Sequence, residues 1–256
     1  MRLPKVNFSY NLSKGSVVDR LKKTELLNAD IFNNILGLYK DTDTVSLRQI
    51  EKVYKQSLPE KIDLKIKKLS QDEKEYSGGL FSSFFNDLQV SSYRISLPVE
   101  NNLFNIIDIP ILMHESTHLL DHALNPKINK NLEKTFIYRG LEDDAVDFYS
   151  SHLYNPTCFD FISEAKFINF KKQLRNFLSE FLPKDQIVML NNFRQSLSME
   201  VHAYHEEDKY MSLLCKKKDL KKIYNPLVLI ERAMFNLKIN LLNNSLKNII
   251  ERERNI

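Results

Sequence analysis

Three of the six histidines in this chain fall in one short segment, DIPILMHESTHLLDH, residues 108–122. His114 and His118 are four residues apart, a spacing that projects both imidazoles from one face of a helix. Two imidazoles so placed can bind one metal ion. Glu115 sits at the rim of that face, where its carboxylate reaches a water on the metal without being a ligand. Asp108 and Pro110 supply a helix start one turn earlier, an N-cap acceptor followed by a proline in the first turn. The chemistry open to such a group is attack by a water that the metal activates.

Other elements must hold this helix and bring it further ligands. Apolar positions recur at helical spacing over residues 16–39, read as two helices, and over 46–56, where Pro59 ends the run. Residues 60–75 are charged and show no clear period. After the aromatic run LFSSFF, the stretch 90–97 alternates as a strand does, and Pro98 stops it. Helices are then predicted over 109–123, 141–154, 161–182, 185–214 and 227–251, with Pro126, Pro156, Pro183 and Pro226 at the junctions. The expected fold class is α+β, mainly α, with one short antiparallel sheet before the histidine helix. Residues 1–75 form a helical extension or subdomain and 76–256 carry the histidine helix, unless the whole is one continuous domain.

Composition narrows the function classes. Five glycines and eight prolines are too few for a many-turned all-β chain. The 37 basic and 33 acidic residues leave a net charge of +4, too small a surplus to imply nucleic acid. No segment has the roughly 18 apolar residues of a membrane span. Two cysteines, Cys158 and Cys215, cannot make a disulfide framework or a four-thiolate zinc site. The first residues lack the apolar region of a secretory signal, so a cytoplasmic protein is expected, or one exported without a cleavable signal.

HESTH resembles the HExxH signature of zinc metallopeptidases of the zincin superfamily. The resemblance covers this motif and its helix. It implies a zincin-like domain with one Zn²⁺ per chain, His114 and His118 as ligands and Glu115 as general base. It further implies hydrolysis of a peptide bond in a protein or peptide substrate, as in intracellular regulatory peptidases and in bacterial effector proteases that act inside a host cell. A zincin fold that binds zinc without catalysis, as a binding module, is the alternative.

The third ligand separates the subfamilies. The metzincin pattern puts a histidine six positions after the second ligand, where this chain has Leu124. The glutamate-ligand pattern Glu-x-x-Ala is met twice, by Glu200 in LSMEVHAYHEED and by Glu142 in GLEDDAVDFY. Glu142 follows Gly140 in a predicted first helical turn, where the helix dipole alone favours an acid. Glu200 lies mid-helix on the stripe Phe193, Leu197, Tyr204 and Met211, where an unpaired carboxylate is costly and a metal would account for it. Both lack the acid four residues later that orients a ligand histidine in thermolysin-like enzymes; Asp121 or Asp144 is a substitute. Tyr204, His205 and His202 are candidate donors to the oxyanion. The strand at 90–97 is either the edge that pairs with an extended substrate or a core strand.

Two further features have structural readings. The basic run CKKKDLKK, residues 215–222, lacks the interleaved aromatics of a nucleic-acid groove and reads as a solvated helix end. The aromatic run over 161–182 reads as an amphipathic helix on the core rather than on a membrane.

Overall fold

The computed structural model describes residues 14–59, 62–72, 79–86, 89–124, 148, 164–218 and 226–254. Helix α1 spans Lys14–Gly37 as one element, not two, since no proline or glycine interrupts it after Gly15. Its inner face buries Ile31, Phe32 and Ile35. Helix α2 (Leu47–Ser57) starts at a capping box, in which the Ser46 hydroxyl accepts from Gln49 N–H while the Gln49 side chain accepts from Ser46 N–H. It buries Ile50, Val53 and Tyr54.

Among the described residues five strands form two sheets, not one. Strand β1 (Thr44–Ser46) pairs antiparallel with β5 (Leu103–Asn105). The larger sheet runs β2-β4-β3, from Leu64–Lys68, Gln89–Leu97 and Leu80–Asn86. It is mixed: β3 lies antiparallel to β4, but β2 lies parallel to it, with Ile66 opposite Ile95. The charged stretch without a clear period thus contains β2, where Leu64 and Ile66 point inward and Lys65 and Lys67 outward. The aromatic run is β3. Asn101 and Asn102, at φ 50° and 61°, make the two-residue turn that bridges Glu100 to Leu103 and leads into β5.

Helix α3 (Ile109–Leu124) follows a single 3₁₀ turn capped by the Asn105 side chain, which accepts from Ile107 N–H. Every residue from Leu112 to Asp121 is buried. A helix covered on all sides must find partners for each polar group it carries. Three more helices complete the described residues: α4 (Glu164–Ser179), α5 (Pro183–Lys217) and α6 (Pro226–Arg254). Pro183 opens α5, which runs unbroken for 35 residues, roughly 50 Å.

Two apolar clusters divide the molecule. The first joins α1, α2, the sheets and α3 with Tyr210 and Leu214 from the later part of α5. The second joins Phe148, Phe170, Leu174 and Leu178 to Met189, Phe193 and Leu197 of α5 and to Phe235 and Leu242 of α6. The described part of the aromatic run, through Phe170, Leu174 and Leu178, therefore packs on this second core. The basic run ties helices together: Lys217 Nζ donates to Asn33 Oδ1 at 2.6 Å and Lys218 Nζ to the Tyr39 carbonyl at 2.5 Å. Helix α5 belongs to both clusters, and Glu200 and Glu207 lie between its two buried stretches.

Candidate metal centre

The i, i+4 spacing on α3 brings His114 Nε2 and His118 Nε2 to 3.2 Å of each other. Glu200, on α5, places Oε2 at 3.4 Å from His118 Nε2 and 3.8 Å from His114 Nε2. The three ligating atoms lie within 4.8 Å of one another. A tetrahedral ion with bonds of about 2.0–2.2 Å has ligand–ligand edges of about 3.3–3.6 Å. The trio fits that geometry with small adjustments, and its donors, two imidazole nitrogens and one carboxylate oxygen, suit a borderline transition ion. Of the two glutamates singled out from the sequence, Glu200 joins the histidines. Glu142, with Asp144 and the predicted helix over 141–154 apart from Phe148, lies outside the described residues.

A second carboxylate completes the grip. His114 Nδ1 donates to Glu207 Oε2 at 2.9 Å, which leaves Nε2 directed at the other two ligands. Glu207 is not among the residues that the sequence singles out; the position four after Glu200 is Tyr204. Seven residues along a helix returns to within about 20° of the start, so Glu207 shares the face of Glu200. Asp121 has a different partner: it accepts from His202 Nδ1 at 2.8 Å. That pairing and the His114–Glu207 bond both tie α3 to α5.

The charges of these groups are coupled. Burial opposes charge on His114, but the hydrogen-bonded Glu200 and Glu207 carboxylates outweigh it, with Glu115 adding, and raise its pKa to about 10. Burial likewise opposes charge on Glu200, yet His118 and His114 hold it well below the usual carboxylate range. Burial pushes Glu115 up; the two histidines oppose this, and the Glu200 and Glu207 charges add to it.

Without a metal, then, His114 carries a proton at neutral pH, and that proton stabilises the fold. The stabilisation is complete below the ordinary histidine value of 6.5 and is lost as pH rises through about 10. A metal ion must displace the same proton. Zinc uptake at pH 7 is expected to release about one proton per site, and zinc affinity to rise about tenfold per pH unit towards pH 10. Calorimetry in buffers of different ionisation enthalpy measures the release; pH-independent affinity between pH 7 and 9 would contradict it.

The surroundings place the remaining candidates. The Tyr204 ring meets the His114 ring edge-on at 4.5 Å between centroids and stacks on Phe235 of α6. His205, expected beside the metal, is exposed, because five residues carry it about 140° round α5 from Glu200. His202 is engaged by Asp121. Phe81 of β3 lies over His118 at 6.1 Å and against His122 at 5.0 Å. Just before β3, a methyl group on Gly79 would lie 2.7 Å from Ile111 Cγ2 and 2.9 Å from Glu115 Oε1. Ile111 is β-branched in a helix and cannot swing aside, so only glycine lets the chain pass this close to Glu115.

The strand at 90–97 is β4, held between β2 and β3, and is therefore a core strand. Phe81, which meets the His118 and His122 rings, belongs to β3, whose side away from β4 has no strand partner among the described residues. No helix among the described residues is long and apolar enough to cross a membrane. No protein-family model, curated protein or solved structure matches this chain.

Proposed function

We propose that this chain is a zinc-dependent metallopeptidase of the glutamate-ligand zincin type, acting on a protein or peptide. The observation that carries the reading is the arrival of Glu200, from a separate helix, at the two Nε2 atoms of His114 and His118. When bound, zinc would supply a Lewis acid for the scissile carbonyl and would lower the pKa of a water to about 7. His114, His118 and Glu200 would hold it, and Glu207 would fix the His114 ring. Glu115 accepts the proton of the attacking water and delivers it to the leaving amine. Of the three candidate donors to the oxyanion, Tyr204 is favoured, since its ring touches a ligand histidine. The side of β3 away from β4, which has no strand partner among the described residues, is the edge along which an extended substrate hydrogen-bonds, past Phe81.

The test is a proteome-derived peptide library incubated with the zinc-loaded protein, with new termini read by mass spectrometry. Cleavage that a chelator abolishes and added zinc restores is the expected result. Absence of any metal-dependent cleavage across the library would overturn the proposal.

A further inference from the structure

The two middle residues of HESTH, Ser116 and Thr117, are fully buried, and both are bound by a single amide from α1. Asn28, itself fully buried, donates from Nδ2 to Thr117 Oγ1 at 2.9 Å. Its Oδ1 accepts from Ser116 Oγ, also at 2.9 Å. Thr117 Oγ1 in turn donates to the Met113 carbonyl at 2.8 Å. At 100° per residue, Ser116 projects about 180° from the midline of His114 and His118. Thr117 projects about 80° from that midline, so the amide grips the back and one flank of the helix whose front presents the imidazoles.

The geometry points to Asn28 as a positioning residue that, from the side opposite the Asp121–His202 and His114–Glu207 bonds, sets the roll of α3 and so aims both histidines at the metal. A histidine Nε2 stands roughly 7 Å from its helix axis, so a 10° roll displaces it by about 1.2 Å. Metal–ligand distances tolerate only about 0.2 Å. The apolar neighbours Leu112, Met113, Leu119 and Leu120 favour burial but impose little direction. Two hydrogen bonds to one planar amide do impose direction. Helix α1 is itself fastened to α5, through Lys217 to Asn33 and through Phe32 packed at 4.7 Å on Tyr210. Asn28 thus refers the orientation of α3 to the helix that carries Glu200.

This inference rests on His114, His118 and Glu200 holding a metal ion, and cobalt(II) alone is a sufficient probe. Asn28→Ala is expected to weaken cobalt binding about tenfold in chelator competition and to alter the intensity of the cobalt visible bands. The triple variant Asn28→Leu, Ser116→Ala, Thr117→Val replaces the polar cluster by apolar groups of similar size, so it should fold even if Asn28→Ala does not. It too is expected to bind cobalt about tenfold more weakly. A role confined to stability would lower the melting temperature and leave the cobalt affinity and spectrum of the folded variants unchanged, which would overturn the inference. Failure of the wild-type chain to bind cobalt would remove the metal reading and this inference with it. Wild-type binding matched by both variants would remove this inference alone.

Discussion

Glu115→Gln protein is expected to bind zinc within about threefold of wild type and to lose about 10²–10⁴ in turnover, the range a positioned general base contributes. That range corresponds to about 3–5 kcal/mol of barrier. Glutamine matches glutamate in size, so it fits the buried space beside Gly79. It cannot take a proton from water. Because Glu115 is not among the three converging ligands, the metal remains while the reaction stops. The experiment pairs zinc analysis of the purified variant with its rate on whichever peptide the wild-type chain cleaves. Unchanged turnover would remove Glu115 from the mechanism. If the biological effect of the protein survived the substitution, the chain would be a zinc-holding binding module.

The second large effect concerns Glu200. Removing a ligand costs more than removing a partner of a ligand, for which 10–100-fold in affinity is usual. Glu200→Ala is therefore expected to lower zinc affinity by more than about 100-fold, and Glu207→Gln by about 10–100-fold. Glu142→Ala is expected to keep its zinc. Chelator competition on the three variants gives the order directly. Stoichiometric zinc in Glu200→Ala, or its loss in Glu142→Ala, would reassign the third ligand.

The parts of this site that could be read in the sequence are those set by helical repeat. His114 and His118 needed a four-residue interval, and Glu200 announced itself as a carboxylate on an apolar stripe whose Phe193 and Leu197 are buried. Glu207 obeys the same repeat two turns on. Asn28 is 88 residues from Ser116, and no local pattern links an asparagine in α1 to the motif. The sheet is the least legible part. LFSSFF has no two-residue alternation, and LKIKK is too short and too charged to stand out, so neither β3 nor β2 has a clear strand signal in the sequence. Whether β4 was an edge or a centre depended on those two strands. A strand's place in a sheet is decided by distant chain, which its own residues do not report.

His118 and Glu200 are about eighty residues apart in the chain, and one cation would join them. Such a clasp shuts a long loop, and the entropy it removes from the unfolded chain grows with loop length. The ion would consequently act as a staple for the whole architecture, so that stripping it leaves a looser protein as well as an inactive one.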